Sequence, residues 1–265
     1  MFKGTSRQVT IVCQILLTLL ALVFAAPLLV MIKVSLQGRG LGNYLLVLQQ
    51  PYLPRFFLNS TFVTVSVIGL VYGITVLAAF AFSKLKFRGN SLFFNATIVG
   101  LMIPSIALVV PIFLLFHALN LFNNYLALIL PITAGLLPFG VLLMRGGLDG
   151  VPNEILDAAS IDGCDSFQVL TLIIIPLIKP ITVVLVVFSF LASWNDYFTA
   201  LAYVRNDLML PLTHLPNYFI QHEMNTIPDY GPIFASLVLI SLPIMITYVA
   251  LQRYFEDGFV SGALK

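Results

Sequence analysis

What most limits the fold of this chain is a succession of apolar stretches too long for a soluble protein. Val9 to Ile32 is apolar apart from Thr10, Gln14 and Thr18, and further runs follow at 59–82, 92–116, 125–144, 181–203 and 233–251. About 20 predominantly apolar residues cross the hydrocarbon core of a bilayer as a helix. Charged residues make up 9% of the chain, against about a quarter in an average soluble domain. The expected fold is all-α: a polytopic membrane protein, a single transmembrane domain over 1–265 with six transmembrane helices. The first run follows Lys3 and Arg7 and contains Ala25-Ala26, which invites a signal-peptide reading. Its 24 residues (9–32) exceed a signal core of about 7–15, so an uncleaved helix is expected, with Lys33 snorkelling at its far end. Pro104, Pro111, Pro131, Pro138 and Pro243 lie inside the runs and predict kinks that neighbouring helices must satisfy.

Six spans place both termini on one side. The basic residues sort unevenly about them. Lys3, Arg7, Lys84, Lys86, Arg88, Arg145, Lys179, Arg253 and Lys265 share one side, while Lys33, Arg39, Arg55 and Arg205 occupy the other. An excess of Lys and Arg marks cytoplasmic loops. Both termini and the 145–180 segment are therefore expected in the cytoplasm, in a prokaryotic plasma (inner) membrane. A net charge of +2 is too small to suggest nucleic acid. Cys13 and Cys164 suggest neither a disulfide framework nor a metal site.

The segment Arg145–Pro180 carries Asp149, Glu154, Asp157, Asp162 and Asp165, five of the 11 acidic residues. Pro152 suits the first turn of a helix, and Glu154 and Asp157 complement its N-terminal end. Ile155, Leu156, Ala158 and Ala159 make an apolar stripe at helical spacing. Gly163 is where that helix can end and the chain reverse. Asp165 or Ser166 can cap a second helix carrying Phe167, Val169 and Leu170. A cytoplasmic helix–turn–helix is expected over 145–180.

Asp157-Ala158-Ala159, three residues, Gly163, nine residues, then Ile173-Ile174-Ile175-Pro176 resembles the cytoplasmic "EAA" loop of ABC importer permeases. The family form is Glu-Ala-Ala, three residues, Gly, nine residues, Ile-x-Leu-Pro. Every spacing holds, with Asp for Glu at 157 and Ile for Leu at 175. Ser193-Trp194-Asn195-Asp196-Tyr197 is similar to the Trp-Asn-Asp/Glu of carbohydrate-importer permeases. The ending Gln252-Arg253-Tyr254-Phe255, Gly258 and Gly262-Ala263-Leu264-Lys265 resembles theirs too. From the second span onward the chain looks most like the smaller permease of maltose-type, binding-protein-dependent sugar importers.

The resemblance implies an ATPase-coupling role for Glu154, Asp157, Ala158, Ala159, Gly163, Phe167 and Pro176. It implies a second homologous permease, two ATP-binding cassette subunits, an extracytoplasmic solute-binding protein and a sugar substrate. ATP and Mg would reside on the ATPase subunits, with no cofactor in this chain. The chain itself has no G-x-x-x-x-G-K-[ST], no H-E-x-x-H, no G-x-S-x-G and no Cys/His cluster. No catalytic set and no metal ligands are expected, and the protein reads as a transporter subunit rather than an enzyme.

Trp194, Asn195, Asp196 and Tyr197 are the candidate substrate path. A Trp face suits a sugar ring and Asn or Asp suits hydroxyls; an aromatic belt at the membrane interface remains the alternative. The three histidines, His117, His214 and His222, are expected as solvated loop residues. Asn206, His214, Asn217, Gln221 and Glu223 in the polar 205–230 loop are expected to reach toward the binding protein, and 36–56 is expected as a loop without a motif. Within the importer class a non-sugar solute stays open. A secondary carrier is the remoter alternative, because ionisable residues near the midplane are scarce.

Overall fold

The structure is a computed structural model. It describes residues 7–222 and 229–263, with side chains over 9–220 and 229–252. The readings placed on Lys3, Glu223, Leu264 and Lys265, and on the side chains of Arg7, Gln221, His222, Arg253, Tyr254 and Phe255, lie outside the described residues. Among the described residues every regular element is helical. In chain order these are α1 (Arg7–Ser35), α2 (Gly42–Leu48), α3 (Leu53–Lys84), α4 (Asn90–Val99), α5 (Val109–Ala118), α6 (Tyr125–Asp149), α7 (Asn153–Ile161), α8 (Ser166–Gln168), α9 (Ile175–Leu177), α10 (Lys179–Trp194), α11 (Phe198–Tyr203), α12 (Leu215–His222) and α13 (Tyr230–Ala263).

Among the described residues, four helices are long and apolar enough to cross a membrane: Val9–Ser35, Leu53–Lys84, Tyr125–Asp149 and Tyr230–Gln252. Two bent pairs raise the number to six if each counts as one span: Asn90–Met102 with Ser105–Ala118 at 94°, and Ser166–Leu177 with Lys179–Trp194 at 80°. The third apolar run is thus a broken element. Ile103 and Pro104 are extended, as expected where proline disfavours helical geometry in the residue before it. The fifth run also departs from a single helix, since α10 stops at Trp194 and α11 starts at Phe198.

The chain divides into two compact units. One comprises 1–53 and 215–242. Here α1 is apolar all round, and none of its membrane-length window is buried, the pattern of a helix that meets lipid or other chains. The 36–56 loop is more ordered than its sequence suggests. Asn43 in α2 is fully buried and its Nδ2 donates to the carbonyls of Ser35 (2.8 Å) and Gln37 (2.7 Å). The Ser35 and Tyr44 hydroxyls share a hydrogen bond of 2.6 Å. The loop is therefore pinned through backbone carbonyls that no hydrophobic period reveals.

The other unit comprises 54–214 and 243–265. Along α3, Val63, Val67, Val71, Thr75 and Ala79 recur every fourth residue and are all buried, one stripe of a helix. Gly140 in α6 lets α3 and α10 come close. A Cβ there would lie 2.6 Å from Thr75 Cγ2 and 3.2 Å from Leu185 Cδ1, in keeping with the small residues that membrane helices use where they cross. At one end of α3, Asn59 Nδ2 donates to the Leu208 and Leu210 carbonyls (both 2.9 Å), and Tyr125 donates its hydroxyl to Asn59 Oδ1 (2.7 Å). Ser60 Oγ accepts from the Leu212 N–H (2.7 Å). These bonds hold the start of the 205–214 segment against α3 and α6.

Candidate functional site

The acidic segment folds from local rules. Past Asp149 the chain turns through Gly150–Pro152 into the nine residues of α7. That helix ends on Gly163, with φ +85°, a left-handed backbone that glycine adopts without a side-chain penalty. Cys164 N–H bonds the Ala159 carbonyl (3.0 Å) and Gly163 N–H bonds that of Ser160 (3.1 Å), the paired bonds that satisfy a helix's last carbonyls. Asp165, rather than Ser166, caps the next segment. Its carboxylate accepts from Phe167 N–H (2.9 Å) and Gln168 N–H (2.8 Å), and the Gln168 side chain accepts from Asp165 N–H (2.9 Å), a reciprocal capping box. A π-helical turn, Val169–Ile174, then leads into α9 and the bend at Ile178.

The expected apolar stripe of α7 divides between two faces. Leu156 and Ala159 pack into the core, whereas Glu154, Ile155, Asp157 and Ala158 are exposed. Gly163, Phe167 and Pro176 are exposed as well. Phe167 is 68% and Ile161 87% solvent-accessible. Ile161 was not singled out from the sequence. Its signal was spacing, since it stands four residues after Asp157 and so shares that residue's outer face.

Behind this helix, a cleft of about 740 Å³ separates it from the 82–90 segment, with Phe82, Lys86, Leu156, Asp157, Ser160 and Cys164 on its walls. One edge of the cleft is bridged. Lys84 Nζ donates to the Val151 carbonyl (2.7 Å) and to Asn153 Oδ1 (3.2 Å), and Ser83 Oγ donates to Asp149 Oδ1 (2.6 Å). Arg145 lies beside Asp149 (3.6 Å) and stacks its guanidinium 3.9 Å from the Phe94 ring centroid. Ser83 and Lys84 lie just beyond the apolar run 59–82 and form the last turn of α3.

The second candidate region surrounds the break after α10. Trp194 is only 4% exposed, with Phe190 stacked at 5.5 Å and Phe57 edge-on at 5.8 Å. Asn195 folds its Nδ2 back onto the Leu191 carbonyl (2.9 Å). Asp196, two residues before α11, caps its first turn by accepting from Thr199 N–H (3.2 Å) and Thr199 Oγ1 (2.9 Å). Tyr197 stacks on His214 with centroids 4.3 Å apart. Asp196 is the one residue of the four on the wall of a cavity of about 700 Å³, shared with Gly100, Ser105, Pro131, Thr199 and Tyr203.

The expectation of solvated histidines fits His117, which is exposed, but not His214. His214 is 5% exposed, and burial pushes its pKa down to about 4. Its ring stacks on Tyr197, and the 205–214 segment that carries it, polar in composition, also buries Leu212. His214 therefore does not reach outward. Asn206 is exposed but caps a short turn by accepting from Leu208 N–H (3.0 Å).

Among the described residues no cluster of His, Cys, Asp or Glu is arranged to hold a metal ion. Residues 72–260, which contain both regions, match the family described as the binding-protein-dependent transport system inner membrane component. The chain belongs to that family. A probable ABC transporter permease, YurM of Bacillus subtilis, is 31% identical over 213 residues, covering 80% of this chain and 70% of the relative. The arabinooligosaccharide transport permease AraQ of Halalkalibacterium halodurans is 31% identical over 211 residues, covering 79% and 74%. A crystal structure of a bacterial ABC transporter that imports alginate has a chain matching this one in fold, with TM-score 0.81, 24% identity and coverage of 96% and 99%. As an inner-membrane component of this family, the protein is a membrane-embedded permease subunit, which accounts for a chain built of apolar helices.

Proposed function

We propose that this permease forms half of the path by which an ATP-driven, binding-protein-dependent importer brings a sugar or oligosaccharide into the cell. The exposed face of α7 and its turn carry the reading. Asp157, Ala158, Ile161 and Phe167 are presented outward on a segment of otherwise tight local structure. The exposed Ile161 and Phe167 offer apolar surface on this segment that a partner can cover. The partner is an ATP-binding cassette subunit, which holds ATP and Mg; this chain carries no nucleotide site. A second permease completes the path, and an extracytoplasmic binding protein delivers the substrate. The six runs cross the membrane with both termini and the 145–180 loop in the cytoplasm. The sugar assignment rests on the relatives named for arabinooligosaccharides and, in Streptomyces coelicolor, for diacetylchitobiose.

The test is reconstitution in proteoliposomes with the permease, ATPase and binding-protein subunits encoded beside it. Uptake of labelled oligosaccharide should require ATP on the ATPase side and binding protein on the other. Uptake that proceeds without either and follows a proton or sodium gradient would make the protein a secondary carrier.

A further inference from the structure

The bridge between α3 and the start of α7 has a feature that local stability does not explain. A helix N-terminus carries partial positive charge and favours anions. Here the Lys84 ammonium sits at that end, bonded to the Val151 carbonyl and the Asn153 side chain. No side chain caps α7, so the cation takes a place where Asp or Ser would serve the helix better. What the lysine does instead is join two elements far apart in sequence. It is the last residue of a 32-residue helix whose stripe from Val63 to Ala79 is locked in the core. Its acceptors are Val151, in the link between α6 and α7, and Asn153, the first residue of α7.

Ser83 grips the other end of that link through Asp149. On the inner side, α7 touches the unit through the apolar contacts of Leu156 and Ala159. Such contacts resist separation but have little direction. Hydrogen bonds are directional, and a charged donor strengthens them. Beyond the bridge the cleft opens between α7 and the 82–90 segment, so displacement of α7 reaches the end of α3 first through Ser83 and Lys84.

We propose that Lys84, assisted by Ser83, is a positioning residue for energy coupling: it ties α7 to α3, so that movement imposed on α7 from the ATPase side is passed to a membrane-spanning helix. This rests on the reading of α7 as the ATPase-docking helix.

The experiment uses the complete transporter in proteoliposomes, with ATP hydrolysis and uptake measured on the same vesicles. Lys84→Met keeps the stem and removes the amine. It should leave subunit co-purification and ATP hydrolysis near parental levels while uptake per ATP falls by about fivefold or more, the lower end of ordinary coupling between sites. Lys84→Arg, which keeps a charged donor, should restore the ratio. Ser83→Ala, a smaller change that leaves Lys84 in place, should shift the ratio in the same direction by less. An unchanged ratio in Lys84→Met overturns the proposal. Loss of hydrolysis and uptake in proportion, in both Lys84→Met and Ser83→Ala, also overturns it, since the bridge would then serve assembly alone. Failure of the docking reading is separable, because it shows as parental uptake and ATP hydrolysis in Gly163→Val, whatever Lys84→Met does.

Discussion

The sharpest test of the coupling surface is the backbone sign at Gly163. Its φ of +85° is closed to most side chains, yet a Cβ placed there meets nothing within 4 Å. Any penalty for a substitution in this chain therefore comes from conformation and not from a clash. The left-handed region costs an ordinary L-residue about 1–2 kcal/mol, which lowers the population of the native turn by a factor of about 5–30. Asn visits this region far more readily than other residues, and a β-branched side chain is the most resistant. Binding-protein-stimulated ATP hydrolysis and uptake should fall in the order Gly163→Asn, Gly163→Ala, Gly163→Val, with the Asn variant close to parental and the Val variant nearly inactive. All three should insert and co-purify with the partner subunits, because the turn is exposed. Two results refute the reasoning. If Asn is as damaging as Val, volume at a partner surface governs the site and not φ. If Val transports normally, the turn is not part of coupling.

Four further outcomes are expected. Asn59→Ala leaves the Leu210 carbonyl and the Tyr125 hydroxyl without their partner, while the Leu208 carbonyl keeps Arg55 Nε (3.2 Å); at about 1–3 kcal/mol per buried unsatisfied group it should lower the melting temperature in detergent, and Tyr125→Phe should do so less. His214 has a folded pKa of about 4, below its ordinary value of about 6.5, so its contribution is complete above that ordinary value and is lost as pH falls toward 4; His214→Phe, which keeps a ring beside Tyr197, should flatten the melting temperature across that window, and an unchanged slope would assign the effect elsewhere. An impermeant thiol reagent applied to intact cells should label Arg205→Cys and spare Lys86→Cys, in an otherwise cysteine-free protein; the reverse pattern inverts the topology. Asp196→Ala, which removes the cap of α11, should cost about 1 kcal/mol of stability, whereas Asp196→Asn keeps an acceptor and should lower uptake with little change in melting; parental uptake in Asp196→Asn would reduce the residue to a cap.

Helical class and the ends of α7 were readable in the sequence because both rest on local rules. Run length distinguishes a membrane helix, and the glycine and Asp165 that bound the loop act within a few residues of themselves. The broken third run was readable only in part. Pro104 announced a kink, but a 94° bend depends on which neighbours receive the chain. Lys84 and Asn59 were invisible as contacts, since their acceptors are more than sixty residues away and no periodicity encodes that distance. His214 was misread for a related reason. The 205–214 segment is polar on average, and averages do not show that one ring stacks on Tyr197, outside the segment.

On the proposed path, the cavity beside Asp196 would let a polar solute pass without trapping it. Its walls are largely apolar, and most polar groups on them are already engaged. Asp196 and Thr199 bond each other, and the Tyr203 hydroxyl donates to the Val109 carbonyl (3.2 Å). A sugar entering from the binding protein must give up water for groups that already have partners, so each hydrogen bond it gains displaces one within the protein. The net gain per exchange is then a small fraction of the strength of an isolated bond. Passage needs that weakness, because binding must be favourable enough to enter and weak enough to leave. On this reading tight recognition belongs to the binding protein, and the permease wall is tuned for release. The small expected effect of Asp196→Asn on stability, set against a loss of uptake, separates these two roles within a single side chain.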